Sequence, residues 1–217
     1  MPNYKDQEDI PSMFSTLCDL VKDKKYPLGV LAQFLNVGAM IMCWTYIYQY
    51  AEGIGIDSVT AGYFQMIAFV LFAIGRAVGT YLLRFTSSGK LLMSFSALAM
   101  LFVLGTIFIK GDLGLYSLVS VSFCLSLMFP TIYGIALEDL TEEQSKIGSA
   151  GLVMAIVGSA LLPKLQGIVI DFGGRGVADI LILGVSEVNF SFLLPLLCFF
   201  YLSWYGFRVS NKNTVSP

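Results

Sequence analysis

The 217-residue chain contains no histidine, so imidazole proton relays and histidine-ligated metals are excluded at the outset. Charged residues make up only 13% of it, about half the share of an ordinary soluble domain. The acidic ones avoid the middle of the long apolar runs: Glu52, Glu138, Asp139, Asp171 and Glu187 all stand near run ends, which leaves no central carboxylate. Four cysteines (Cys18, Cys43, Cys124 and Cys198) lie far apart with no CxxC or other metal-ligand spacing, and read as small buried hydrophobes. Without a nucleophile–base pair, paired carboxylates at one depth or a metal cluster, an intramembrane enzyme has no chemistry to work with. No charged ring suggests a channel pore. No metal or other cofactor is expected, and no nucleic acid partner.

What the chain does have is apolar length. The hydrophobic share is 56%, and six runs fill almost the whole sequence: Leu28–Ala51, Thr60–Leu83, Leu91–Ile109, Leu115–Leu137, Gly148–Ile170 and Val188–Phe207. A spanning helix needs about 20 apolar residues, because it rises about 1.5 Å per residue through a hydrocarbon layer about 30 Å thick. Spanning strands would show alternating polarity over about 10 residues, and none does. The fold class expected is therefore an all-α membrane protein with six transmembrane helices.

Positive charge orients these helices. Lys5, Lys22, Lys24 and Lys25 precede the first run, Arg84 and Lys90 lie between the second and third, Lys146 between the fourth and fifth, and Arg208 and Lys212 in the tail. The other side carries only Lys110 and Arg175 outside the runs. By the positive-inside rule both termini face the cytoplasm. Residues 1–27 form a cytoplasmic linker, 28–207 the bundle and 208–217 a cytoplasmic tail. Within the linker, Met13, Phe14, Leu17, Leu20 and Val21 recur at helical spacing, which points to a short amphipathic helix over Pro11–Lys25.

Three helices followed by three inverted equivalents is a building plan of transporter halves, and it makes the first and fourth helices counterparts. Both carry polar and helix-softening residues: Asn36, Gly38 and Trp44 in the first, Ser122, Ser126, Pro130 and Gly134 in the fourth. Pro130 lacks an N–H and is expected to kink its helix.

Several ordered stretches carry a family resemblance. Ala32-Gln33-Phe34-Leu35-Asn36-Val37-Gly38-Ala39 through Cys43-Trp44-Thr45-Tyr46 comes first, then Gly75-Arg76, Gly79-Thr80 and Leu82-Leu83-Arg84-Phe85. Phe129-Pro130-Thr131-Ile132-Tyr133, Gly148-Ser149, and Val153-Met154-Ala155-Ile156-Val157-Gly158 follow, with Gly167 and Asp171 closing the fifth helix. Over residues 26–207 the chain resembles the second half of the fucose–galactose–glucose:proton symporters of the major facilitator superfamily. The resemblance implies a twelve-helix transporter of the bacterial inner membrane, moving a monosaccharide with protons, whose N-terminal six-helix half comes from the same or a separate polypeptide. It also implies that the proton-carrying carboxylates lie in that first half, in keeping with their absence here. The competing reading is a non-transporting membrane scaffold derived from such a transporter.

A sugar is recognised by hydrogen-bonding side chains and aromatic faces. The candidates are Trp44 and Asn36, two turns apart on the first helix; Tyr63 and Gln65 near the outer end of the second; and Phe129 ahead of Pro130. Where Phe129 stands the family often has a tyrosine. Arg76 lies inside the second run, and the stretch from Gly79 through Arg84-Phe85 to Lys90 resembles the superfamily's cytoplasmic loop motif. On that resemblance Arg76 and Arg84 are expected to form a conformational latch with Glu138 or Asp139. Lys164, after Pro163, is expected to snorkel to the outer interface.

Overall fold

The computed structural model describes residues 16, 19–23, 25–171, 181–182 and 184–212. Six helical segments are long and apolar enough to cross a membrane: span 1 (Lys25–Gly53), span 2 (Ser58–Leu82), span 3 (Ser88–Phe108), span 4 (Asp112–Leu137), span 5 (Glu142–Ile170) and span 6 (Glu187–Asn211). The most apolar runs of the sequence thus became the spans, with ends shifted by local chemistry. Asp57 caps span 2 by accepting the backbone N–H groups of Val59 and Thr60 at 3.1 Å, and the Thr60 hydroxyl, together with these bonds, holds its carboxyl below the usual carboxylate range. Thr141 and Gln144 form a capping box that starts span 5 six residues before its apolar run. Gly55 and Gly111 take positive φ (83° and 75°) in the turns after spans 1 and 3, a conformation that suits glycine.

Three spans are interrupted: span 6 breaks at Phe192, three residues before Pro195, and the other two break away from proline. Span 1 breaks at Tyr46, whose N–H reaches Met42 C=O only at 3.4 Å. Span 5 tightens to a 3₁₀ turn at Ala155–Val157 just before Gly158, whereas the helix runs on through Pro163 and, in span 4, through Pro130. A two-residue hairpin, β1 (Leu181–Ile182) and β2 (Val185–Ser186), leads into span 6. Most of the expected amphipathic segment over Pro11–Lys25, both termini and the loop around Arg175 lie outside the described residues. Of that segment Leu20 is buried, in a cluster with Tyr26, Ala136 and Leu152, so it packs on the bundle rather than standing apart.

The packing falls into two layers. Spans 2, 4, 1 and 5 lie side by side in that order, and spans 3 and 6 pack on each other behind spans 4 and 1. Exchanging 1 with 4, 2 with 5 and 3 with 6 maps this neighbour list onto itself, which is the signature of a three-plus-three repeat. The equivalence extends to single residues. A Cβ on Gly158 of span 5 would overlap the Phe34 carbonyl of span 1, and a Cβ on Gly75 of span 2 would overlap the Phe123 carbonyl of span 4. One turn on, Gly38 abuts Leu162 and, as its counterpart, Leu127 abuts Gly79. Residues of span 1 thus correspond to span 4 at a constant offset (34 to 123, 38 to 127), as do those of span 2 to span 5 (75 to 158, 79 to 162). Small residues allow this close approach where no hydrophobic effect drives helices together.

Candidate functional site

The front of the four-helix layer carries the candidate site. Span 1 runs antiparallel to span 4, with Gly29 against Ala136 near one end and Trp44 bonded to Ser122 near the other. The half-buried Trp44 donates its indole N–H to the Ser122 hydroxyl at 3.2 Å. Its ring stands edge-on to Phe69 and Phe72 of span 2, with centroids 5.0 and 5.3 Å away. Three spans therefore meet at this tryptophan, and its polar edge is satisfied within the half.

Helical spacing extends the same strip of span 2. Gln65, Phe69, Phe72 and Arg76 recur at i, i+4, i+7 and i+11 and share one face. Gln65 thus lies one turn from Phe69 on that face, whereas Tyr63, 58% exposed, lies on another. On span 4, Phe129 lies two turns beyond Ser122 on nearly the same face, and its ring stacks on Tyr133 with an 11° interplanar angle. Helical spacing puts Gln65 on the face of span 2 that carries Phe69, and Phe129 on the face of span 4 that carries Ser122, whereas Tyr63 lies on another face of span 2.

Asn36 sits differently from its sequence-based expectation of sharing a face with Trp44. It is 1% exposed, in the stripe of span 1 that faces span 4. Neither its amide nitrogen nor its oxygen has a hydrogen-bond partner, and the same is true of fully buried Gln33 one turn earlier. Sequence reading passed over Gln33, because glutamine alone in an apolar run carries no spacing signal; its burial without a partner is visible only in three dimensions.

The four latch residues are not joined to one another in this conformation. Asp139 pairs with Lys25 instead, at the inner ends of spans 4 and 1. Spans 2 and 4 run parallel with Gly75 level with Phe123, so Arg76 lies about 20 Å from Asp139 along the bundle. Arg76 and Arg84 are exposed and form no ion pair among the described residues, and Glu138 is exposed likewise. The reason is positional: Arg76 belongs to the mid-span strip beside Phe72, not to the loop. Lys164 is exposed on the side of span 5 away from span 1, as a snorkelling lysine would be. Among the described residues no cluster of candidate metal ligands exists.

The chain is 46% identical over 209 residues to an L-fucose-proton symporter of Haemophilus influenzae, covering 96% of this chain and 47% of the relative. The similarity runs over nearly the whole of this chain and matches the C-terminal half of that symporter. The symporter of that name from Escherichia coli is 32% identical across 87% of the chain and 40% of its own length, and a glucose/galactose transporter of Brucella abortus is 28% identical across 82% and 41%. The crystal structure of the major facilitator superfamily transporter FucP in the outward conformation superposes with a TM-score of 0.82 at 28% identity, over 93% of this chain and 47% of that one. No family model matches the chain. The fold is thus one six-helix half of the major facilitator architecture, and the chain spans about half the length of the curated relatives it matches. These relatives are transporters by name, not enzymes.

Proposed function

We propose that the chain is the C-terminal half of a proton-coupled monosaccharide transporter of the bacterial inner membrane, and works when joined to an N-terminal six-helix half. The observation that carries this reading is the Trp44 constellation: an indole held by Ser122, flanked by Phe69 and Phe72, on the open face of a fold shared with fucose and glucose/galactose transporters. Spans 2 and 5 suit the two flanks at which halves meet, since each has only 17% of its apolar window buried within this chain. The sugar lies against Trp44, Gln65 and Phe129, near the midplane where the repeats meet. Arg76 shares the face of Gln65 and Phe72 and is exposed, and a charge placed inside a span is functional by default. Arg84 and Glu138 remain the candidates for an inner latch in another conformation.

In the assembled two-half transporter, Trp44→Ala should weaken sugar binding about tenfold, since a ring stacked on a pyranose contributes about 1–2 kcal/mol. Binding is read by calorimetry and by fluorescence in a Trp204→Phe background with any tryptophans of the first half removed. Trp204 lies apart, under the Arg208 guanidinium at 5.5 Å. Unchanged affinity in Trp44→Ala, together with a sugar-insensitive Trp44 signal, would make this tryptophan a packing residue only.

The proposed orientation places Thr141–Lys146 and both termini in the cytoplasm. Cys43, Cys124 and Cys198 are buried, so with Cys18→Ser the background labelling should be low. In intact cells a membrane-impermeant thiol reagent should then modify Lys110→Cys and spare Glu143→Cys; the reverse pattern would invert the topology.

A further inference from the structure

The repeat supplies a counterpart for the Trp44–Ser122 pair. Carrying each residue to its equivalent at the offset seen in the packing (34 to 123, 38 to 127) takes Trp44 to Tyr133 and Ser122 to Gln33. The antiparallel register of spans 1 and 4 agrees: with Trp44 at Ser122 and Gly29 at Ala136, Gln33 comes level with Tyr133 and Asn36 with Phe129 and Pro130. Gly29, Gln33 and Asn36 follow at i, i+4 and i+7, so both amides face span 4. On the Trp44 side the polar groups satisfy each other. On the Tyr133 side they do not: Gln33 is 0% and Asn36 1% exposed, and all four of their amide atoms lack a partner.

Unpartnered amides in the core of a membrane helix bundle are costly and call for a ligand. The two amides present donors and acceptors together and no net charge, which fits hydroxyl groups better than an anion or a cation. Pro130, on the facing turn, has no N–H to give the Ser126 carbonyl, which weakens the helix ladder of span 4 there. Along span 1, Gln33 and Trp44 are about 16 Å apart between backbones.

We infer that Gln33, with Asn36 and Tyr133, forms a second wall of the sugar site, the repeat counterpart of Trp44 and Ser122, and that the Gln33 and Asn36 amides bind sugar hydroxyls. This rests on the transporter reading above. Both amides are covered in this conformation, so sugar reaches them when the seam between spans 1 and 4 parts at Pro130, where the helix ladder is weakest. Gln33 is then a specificity-determining residue, responding to individual hydroxyls, while Trp44 supplies a face that every pyranose shares.

The test uses the assembled two-half transporter and a series of singly deoxygenated analogues of its transported sugar, with binding measured by calorimetry. Gln33→Leu and Asn36→Leu should each weaken binding of the parent sugar about tenfold, the worth of a well-made hydrogen bond. One deoxy analogue should bind the wild type weakly and bind Gln33→Leu no worse than the parent sugar does. Gln33→Asn, which keeps an amide but shortens its reach, serves if the leucine variant does not fold, and should show an intermediate loss. Unchanged affinity in either Gln33 variant, with raised thermal stability, would mean the amides hold water or pack structurally, and would overturn the inference while leaving the transporter reading intact. A wild type that binds no monosaccharide at all, in both its inward and outward states, would instead overturn the transporter reading itself.

Discussion

Reconstituted alone into liposomes with an inward proton gradient, this chain should accumulate no monosaccharide, and adding an N-terminal six-helix half should restore uptake. Two features set this expectation. The front of the span 2-4-1-5 layer is a single wall, so a sugar against Trp44 would have solvent or lipid on its other side. Proton coupling needs a titratable group at mid-depth, and among the described residues the carboxylates sit at span ends: Asp57 caps span 2, Asp112 opens span 4, and Glu138, Asp139, Glu142 and Glu143 cluster at the turn into span 5. Glu187, buried at 5% exposure, begins span 6 and is also terminal. The loss should be complete, since neither half of the cavity nor half of the proton path does partial work. Robust uphill uptake by the chain alone, abolished by a protonophore, would mean that two copies can assemble a working cavity.

How far the sequence revealed this molecule depends on which interactions are periodic. Six spans were legible because each must hide about 20 apolar residues, a demand that leaves a long continuous signal. The cap at Asp57 and the capping box at Thr141 use local chemistry, yet they lay just outside the apolar runs and moved the span ends outward. Proline was a poor guide to interruptions: the helix continues through Pro130, and the breaks fall at Tyr46, Ala155–Val157 and Phe192. Trp44 and Gln65 were legible as polar or aromatic residues in apolar helices, whereas the pairing of Trp44 with Ser122 needed the antiparallel register. Arg76 was legible as a cation inside the second run, and the family resemblance joined it to the latch; the packing of Gly75 on Phe123 puts it level with the middle of span 4, away from Asp139. Gln33 was invisible for the same reason that it matters, since an unmet hydrogen bond is a property of what surrounds a side chain.

Gly158→Ala and Gly75→Ala should be among the most destabilising single-methyl changes in the chain, and they should act alike. At each position the added Cβ would overlap a backbone carbonyl of the neighbouring span, Phe34 for Gly158 and Phe123 for Gly75. A side chain can rotate away from an intruding methyl, but a helix backbone can yield only by moving the whole span. Overpacking of this kind costs about 1–3 kcal/mol, or several degrees in melting temperature for about 200 residues. Gly134→Ala is the control, because nothing lies within 4 Å of its missing Cβ. It should be neutral or mildly stabilising, as alanine favours the helix by up to about 1 kcal/mol over glycine. Gly38→Ala meets the Leu162 side chain instead of backbone, and should fall between these limits as the leucine adjusts. Thermal unfolding of the assembled transporter in detergent would rank the four variants. The pairing of Gly158 with Gly75 is the informative part, because the two lie in different spans and are linked by the repeat alone. Should one of them prove as harmless as Gly134→Ala while the other melts the protein, the residue-level equivalence between the two three-helix repeats, and with it the assignment of Gln33 as the counterpart of Ser122, would lose its footing.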